Sequence, residues 1–422
     1  MAKREIADLD LKIKFTKELI ENQLGRINSS SILDDLLKVK YGADGKVNPD
    51  TVSTSLNAFM LGILVSHELP PVFHPEHISE YQSILQKSNC FTQTSIDTEE
   101  QFDKIYDEYK KKNNMLFRGQ KEAKWRLYSK LQRHWITEKL FDKDYTYQNL
   151  IENLVENGKQ KHADKIKEIL SANHIDTENT ISVLGFLQHH SCPTPLLDWT
   201  YKFQNALFFA IDGLEQNNGT IEVEDYFSVY FIEENELEDG NIKSILKEVL
   251  SQIEEEELQK LITEIANGNE EKIKEMEAHF SGRHLFDRTK INGSGFISKA
   301  TKIVNLMNHK VAYFSDKDKE SGIIFSLNNS KNILNQEGVF VWNSDPTKPL
   351  ELISDEFYKE EFPDDDCKYN FCHYFNINKK LEQHIRKRLQ EDGITKEFIY
   401  PTPELNTYEV FEHTKENLKT SC

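Results

Sequence analysis

The segment Leu184–Ala210, LGFLQHHSCPTPLLDWTYKFQNALFFA, decides how the rest of the chain folds. Two prolines flank Thr194 and fix φ on either side of it, so a helix cannot continue through this point. We therefore predict a helix that ends before the prolines, a short strand at Leu196–Trp199, and a second helix from about Lys202 that packs under the strand. The uncharged end of the segment carries two adjacent phenylalanines and is expected to be buried.

Asp198 is the single acid of this segment and lies among residues that favour the interior. A carboxylate there costs several kcal/mol unless it is hydrogen-bonded or paired, so the fold must supply it with donors. His189 and His190 are adjacent, and regular structure turns adjacent side chains in different directions. Together with Asp198 they could form a metal or acid–base site across the turn. Capping or hydrogen-bonded core histidines are the simpler interpretation.

The composition is that of a soluble globular protein, since 38% of the 422 residues are hydrophobic and 29% are charged. The length suffices for two or three domains. The apolar run Phe59–Val65 is far shorter than the ~20 residues that cross a bilayer, and the first residues lack a secretory pattern. We therefore expect no membrane association. Five dispersed cysteines without a CxxC pair argue against a disulfide framework or a zinc ribbon and favour a cytoplasmic location.

The formal net charge is −19. Affinity for nucleic-acid phosphates comes from clustered Lys and Arg, so this charge speaks against broad non-specific binding of nucleic acid. A local basic groove is still compatible with it, and a basic protein partner would find complementary surface.

Five strands are predicted from apolar runs of strand length. They are Leu116–Arg118, Leu196–Trp199, Tyr226–Ile232, Ile323–Leu327 and Val339–Trp342. Long helical tracts of irregular length separate them, which favours an α+β fold with a mixed or split β-sheet over regular βαβ repeats. The alternating run Leu9–Phe15 fits either a strand or a helix.

Three regions follow from this pattern. We expect a mainly helical N-terminal region at 1–95, a central domain at 96–405 and a C-terminal tail at 406–422. Dense Glu and Lys with Leu and Ile at helical spacing indicate an acidic helical insertion at about 233–290. Near the end of the central domain, Asn378 is expected to cap a helix at Lys379–Glu391 that Gly393 ends. The basic residues of that helix are interpreted as a solvated face.

Arg118 ends an apolar strand and precedes Gly119. Such an arginine suits bidentate recognition of phosphate or carboxylate, with the glycine allowing a ligand to approach. A structural pair with Asp198 is the alternative. Glu337, at the start of a strong strand, could stabilise a developing cation, although an ordinary solvated Glu is favoured. Cys192 is favoured as a small apolar filler over a reactive thiol.

The residues Phe117-Arg118-Gly119-Gln120, LQHHSCPTPLLDWT with ALFFA, and Gln336-Glu337-Gly338-Val339-Phe340 resemble the bacterial FRG domain, which is named for its Phe-Arg-Gly motif. The resemblance assigns 96–405 to an FRG domain with the acidic insertion inside it. Two departures stand out. Pro195 occupies the place where the family usually has Arg, and Ser191-Cys192 replaces a Gly-Leu-type pair.

The FRG layout is similar, more distantly, to ADP-ribosyltransferases, with an Arg on the first core strand, a Ser or Thr on the second and a later Glu. The resemblance implies a related sheet core and the catalytic residues Arg118, Thr200 and Glu337, with NAD as substrate. Arg118 would hold the NAD pyrophosphate, Trp199 would stack on nicotinamide, and Glu337 would stabilise the ribosyl cation. The residues implied to bind NAD are Arg118, Gly119, Gln120, His189, His190, Asp198 and Trp199.

The resemblance also implies a bacterial toxin or phage-defence system, a neutralising antitoxin or other protein partner, and a nucleic acid or protein as target. Two other functions stay open. One is a non-catalytic module that binds a nucleotide or a partner, and the other is a metal-dependent hydrolase built on His189, His190 and Asp198. The favoured interpretation involves no metal ion.

Overall fold

The computed structural model describes residues 75–420, with gaps at 143–144, 173–177, 215–220, 237–241, 282–295, 318–324, 326, 328–330, 364–370 and 402–404. The ambiguous segment Leu9–Phe15 and most of the predicted N-terminal region lie outside the described residues.

A seven-stranded sheet forms the centre of the molecule. Its strands are β1 Phe91–Ile96, β2 Met115–Gln120, β3 Leu196–Thr200, β4 Tyr226–Glu233, β5 Val311–Phe314, β6 Gly338–Asn343 and β7 Cys372–Asn378. They lie in the order β1-β7-β4-β2-β3-β6-β5. Strands β1 and β7 are parallel and all other neighbours are antiparallel. The predicted α+β class with a mixed sheet is confirmed.

Helices surround the sheet. They are α1 Ile84–Ser88, α2 Glu99–Tyr109, α3 Lys130–Thr137, α4 Tyr147–Lys161, α5 Ala163–Ala172, α6 Thr180–His189, α7 Phe203–Ile211, α8 Ile242–Ala266, α9 Glu270–Phe280, α10 Phe296–Ala300, α11 Ile303–Leu306, α12 Lys331–Gln336, α13 Leu350–Glu361, α14 Glu382–Glu391, α15 Lys396–Ile399 and α16 Tyr408–Thr420. Capping boxes at Thr98, Ser129 and Thr146 begin α2, α3 and α4, because each hydroxyl accepts a backbone N–H that the helix leaves unpaired.

Four of the five predicted strands are confirmed as β2, β3, β4 and β6. The strand predicted at Ile323–Leu327 is wrong at its two described residues, Phe325 and Leu327, which lie in no strand. Their backbone N–H groups donate to the carboxylate of Asp316 instead of to a neighbouring strand. The pattern of apolar residues was right about burial, since Phe325 and Leu327 are fully buried, and wrong about backbone pairing.

Three strands were not predicted. Strand β1 is largely polar and exposed on one side, as befits a sheet edge, and β5, at the opposite edge, has only four residues. Strand β7 mixes Asn and His with aromatic residues, yet it is almost wholly buried between β1 and β4. Tertiary pairing outweighs the local sequence pattern in β1 and β7, whereas the wholly apolar β5, VAYF, has a strand-forming sequence.

Gly119 allows helix α7 to lie directly on β2. A Cβ atom at Gly119 would lie 1.9 Å from the carbonyl oxygen of Ala206 and 2.8 Å from the backbone nitrogen of Ala210. Neither backbone atom can move aside without shifting the helix, so the glycine is required for packing. The glycine of the Phe-Arg-Gly motif and the alanines of the ALFFA segment therefore form one packing contact, and Gly119 also lines the pocket beside Arg118.

The acidic tract forms the long helices α8 and α9, as predicted, and no residue of α9 is buried. The last predicted helix is confirmed as a short turn at Lys379–Leu381 followed by α14, with Gly393 at φ 77° after its end. Its basic face is not simply solvated, because Arg388 pairs with Asp103 and Asp107 of α2. The limits of the three predicted regions stay predictions.

Candidate functional site

Strands β2 and β3 diverge next to the Phe-Arg-Gly motif. They are paired only at Phe117 and Thr200, whereas β3 pairs with β6 along its whole length. A pocket of about 290 Å³ lies at this divergence. It is bounded by β2, β3, the end of α6, and residues of α7 and α12. Its polar side chains include Arg118, Gln188, His189, Asp198, Asn332 and Gln336.

Arg118 brings a positive charge to this pocket. Its Nη1 donates a hydrogen bond to the backbone oxygen of Asp198 at 2.5 Å, and its buried Nε has no hydrogen-bond partner in the part of the chain that the structure describes. Within the described residues Arg118 forms no ion pair. Burial lowers the pKa of Arg118 from its usual value, and the charge of Asp198 opposes that shift. Because an arginine stays protonated in proteins, the pocket holds a cation that an anionic ligand can neutralise.

Asp198 projects into the same pocket and is exposed there. Gln188 Nε2 donates to Asp198 Oδ2 at 2.6 Å, so the expected donor is supplied by the last turn of α6. The surrounding protein atoms raise the pKa of Asp198, and the charge of Arg118 and the Gln188 hydrogen bond act against that rise. The pocket thus combines one carboxylate with one guanidinium that has no carboxylate partner among the described residues.

The two adjacent histidines are separated by the fold. His189 lines the pocket and packs on the ring of Phe340 at 4.9 Å between centroids, and its buried Nε2 has no hydrogen bond to any described residue. Burial holds the pKa of His189 well below its usual range, so the ring is neutral. His190 turns away, accepts the Leu405 N–H at Nδ1 and packs on Phe186. Only His189 reaches the candidate site.

Trp199 cannot stack on a ligand in this pocket through its ring. Successive side chains of a strand point to opposite faces, so Asp198 faces the pocket while the Trp199 ring packs near Phe371 on the other side of the sheet. The pocket lining includes Trp199 itself and three other aromatic residues, Phe117, Phe209 and Tyr400. The opposite orientation of the Asp198 and Trp199 side chains follows from the period-two alternation of a strand, which was predictable from the sequence.

Thr200 lines the pocket, but its hydroxyl is engaged. It donates to the backbone oxygen of Gln336 at 2.6 Å and accepts the N–H of Lys202 at 3.0 Å, so it joins the end of β3 to α12 and to the start of α7. Gln120 is buried, and its amide donates to the backbone oxygen of Arg126 at 3.4 Å. Gln120 lies outside the pocket lining.

Glu337 does not line the Arg118 pocket. It precedes β6 with φ at 46°, and its carboxylate pairs with Lys202 at 3.3 Å. Its side chain borders a separate cavity of about 390 Å³, together with Tyr201 and Lys317. The three residues implied to be catalytic therefore do not converge, since Arg118 and Thr200 share one pocket and Glu337 lies at another. The carboxylate beside Arg118 is that of Asp198.

The two sequence departures have local structural consequences. Ser191 ends α6 in the left-handed region, with φ at 73°, while the N–H of Ser191 donates to Gln188 and that of Cys192 to Leu187. This is the Schellman arrangement, which favours glycine at the position of Ser191. Pro195 is buried and does not line the pocket.

Cys192 is fully buried, and burial raises the pKa of its thiol to about 12, which favours the interpretation as a small apolar filler. Across the described ranges, no cluster of three or more His, Cys, Asp or Glu side chains is placed to hold a metal ion. No helix in the described part of the chain is both long and apolar enough to span a membrane.

Sequence reasoning missed Gln188, Thr194 and the aromatic pair Phe209 and Tyr400. Thr194 was noted only as the residue between two prolines, although a hydroxyl held in a rigid turn is a natural hydrogen-bonding anchor. Tyr400 follows α15, more than 180 residues after β2 and β3 in sequence, and no local sequence pattern indicates that it reaches the pocket.

The structure is that of an α+β protein with a pocket, lined by Arg118 and Asp198, at a divergence of two strands. Residues 113–219 match the family model of the FRG domain. The matched segment contains β2, β3 and the helices α3 to α7, and so includes Arg118, Gln188 and Asp198; β6 and α12 lie outside it. This match identifies an FRG domain at residues 113–219, inside the longer segment that the resemblance assigned to it. No curated protein and no solved structure matches the chain.

Proposed function

We propose that the pocket binds NAD and that the chain is an ADP-ribosyltransferase-like enzyme in which Asp198 takes the role implied for Glu337. The observation that carries this proposal is the pairing of an arginine that has no ion pair in the described chain with an exposed carboxylate in one pocket. A guanidinium binds phosphate oxygens in a bidentate manner, and a fixed carboxylate stabilises positive charge that develops in a transition state.

The proposed reaction breaks the bond between ribose C1′ and the nicotinamide nitrogen, and the bonding electrons leave with nicotinamide. Positive charge spreads over C1′ and the ring oxygen, where the Asp198 carboxylate stabilises it. A nucleophile of the target, or water, then bonds to C1′ and loses its proton. Arg118 holds the pyrophosphate, and Phe209 and Tyr400 offer aromatic surface for the nicotinamide ring.

The size of the pocket fits one end of the dinucleotide. At about 290 Å³ it lies just below the range of roughly 300 to 1,000 Å³ typical of small-molecule sites. We place the nicotinamide-ribose end inside and the adenosine end across the open mouth.

A non-catalytic nucleotide-binding module is the second candidate. The position of Glu337 favours it, because the carboxylate implied to be catalytic is paired with Lys202 at another cavity. This candidate retains Arg118 as the anion ligand and assigns no chemistry to Asp198.

The two candidates separate in an NAD turnover assay on the full chain. We expect wild type and Glu337→Gln to release nicotinamide, and Arg118→Ala and Asp198→Asn to lose activity by about 100-fold or more, as is typical when a group that stabilises transition-state charge is removed. Nicotinamide release is followed by chromatography. Thermal stabilisation by NAD without turnover would establish the binding module. If NAD is neither turned over nor stabilises the protein, both candidate functions are contradicted.

For the cell, we propose a role in a bacterial toxin or phage-defence system, with a protein partner that restrains the activity and a protein or nucleic acid as target. The support is the FRG match together with the proposed chemistry. Growth arrest on expression that disappears in Arg118→Ala would favour this role, and arrest by both forms would count against it.

A further inference from the structure

The turn between α6 and β3 is rigid and fully buried at Thr194. The backbone N–H of Leu196 donates to Thr194 Oγ1 at 3.3 Å, so that oxygen already acts as an acceptor. The Thr194 hydroxyl proton points to Gln188 Oε1, at 2.5 Å. The oxygen end of the Gln188 amide therefore faces the turn.

The orientation of the amide follows from these two bonds. Since Gln188 Oε1 accepts from Thr194, the amide nitrogen is the atom that faces Asp198, and it donates to Oδ2 at 2.6 Å. An amide nitrogen can only donate, so Asp198 Oδ2 must be an acceptor. Asp198 Oδ1 has no hydrogen bond to another residue of the described chain, and the side chain is open to the pocket.

We propose that Thr194 and Gln188 are positioning residues, which hold the Asp198 carboxylate with Oδ2 as hydrogen-bond acceptor and Oδ1 available to a ligand. The Pro-Thr-Pro turn is the rigid base of this chain of hydrogen bonds. Two prolines restrict the backbone of the turn, and α6 ends in the Schellman arrangement three residues before Thr194. Neither Thr194 nor Gln188 needs to contact the reacting atoms.

The effect of Thr194 and Gln188 on catalysis rests on the proposed function. Their effect on the pKa of Asp198 can be measured without turnover. The charged groups that act on Asp198 are Arg118 from β2 and Lys130 from α3, which both lower its pKa, while desolvation by the surrounding protein atoms raises it. His189 from α6 is neutral. The Gln188 hydrogen bond is a further influence that lowers the pKa of Asp198, so its loss must raise that pKa.

The first test is a ¹³C NMR titration of aspartate carboxyl groups in the ligand-free full chain, with the Asp198 signal assigned by its loss in Asp198→Asn. We expect Asp198 to titrate at higher pH in Gln188→Met and Thr194→Val than in wild type. Thr194→Ser keeps the hydroxyl and should restore the wild-type titration. Thr263→Val, which removes an exposed hydroxyl on α8, is the matched control and should change nothing. Identical titrations in wild type, Gln188→Met and Thr194→Val would overturn the proposal.

The second test is the pH profile of NAD turnover in the same variants. The ionised carboxylate is the active form, so the acidic limb should move to higher pH in Thr194→Val and Gln188→Met. The maximal kcat should fall about 10- to 100-fold, as for the loss of a hydrogen bond to a charged group, with a smaller change in KM. An unshifted acidic limb would count against the positioning role. If wild type has no turnover while the NMR titrations differ as expected, the positioning proposal stands and the proposed function fails.

Discussion

The arginine of the Phe-Arg-Gly motif and another arginine eight residues later show how side-chain partners decide between binding and structure. Arg118 has no carboxylate partner in the described chain. Arg126 is almost fully buried and pairs with Glu351 at 3.4 Å, and Glu351 also accepts from Tyr81 and from the Leu127 N–H. Arg126 therefore belongs to a closed structural cluster, whereas the guanidinium of Arg118 stays available to a ligand.

A stability measurement checks the structural role of Arg126. Arg126→Met leaves the Glu351 carboxylate buried beside Tyr81 without its cation, and removal of one member of a buried pair typically costs about 3–5 kcal/mol. We expect a loss of this size in the free energy of unfolding by urea. Asp355→Asn, which removes an exposed partner of Lys359, should cost no more than about 1 kcal/mol. Equal stability of the two variants would refute the assignment.

Secondary-structure elements were predictable where local sequence and tertiary packing agree. The strand after the Pro-Thr-Pro turn, the helix that follows it, and β2, β4 and β6 all have apolar patterns that match their burial. Edge strand β1 lacked such a pattern, and the apolar edge strand β5 is only four residues long. The position of Glu337 was not predictable for a different reason. A positive φ at a residue other than glycine cannot be recognised in the sequence. The Glu337 side chain lies at a cavity that the resemblance did not imply.

The end of helix α6 offers a prediction at this scale. Ser191 occupies a left-handed position after the helix, where a side chain costs roughly 1–2 kcal/mol. Ser191→Gly should therefore stabilise the protein by about 1 kcal/mol in urea unfolding, after allowance for the greater freedom of glycine in the unfolded chain. Ser191→Ala keeps the strained conformation and should bring no such gain. A destabilised Ser191→Gly variant would contradict the assignment of this helix end.

Across the whole molecule, the site is assembled from segments far apart in sequence. Arg118, Gln188 and Asp198 come from the matched FRG segment, while Gln336 and Tyr400 reach the pocket from the later part of the chain. The sequence motifs identified Arg118 and Asp198 but not Gln188, and the later residues could be placed only through the folded sheet. The net charge of −19 could be calculated from the sequence, but the arrangement of the charges could not. Basic side chains of α14 pair with an acidic side chain of α2.

The most direct test of the central claim is isothermal titration calorimetry of the full chain with ADP-ribose, which has the pyrophosphate and ribose of NAD but no bond to nicotinamide. We predict one binding site in wild type, the same affinity in Glu337→Gln, and an affinity at least about 10-fold lower in Arg118→Met, because the charged hydrogen bonds to phosphate are lost. Absence of binding, or equal affinity in wild type and Arg118→Met, would contradict the account.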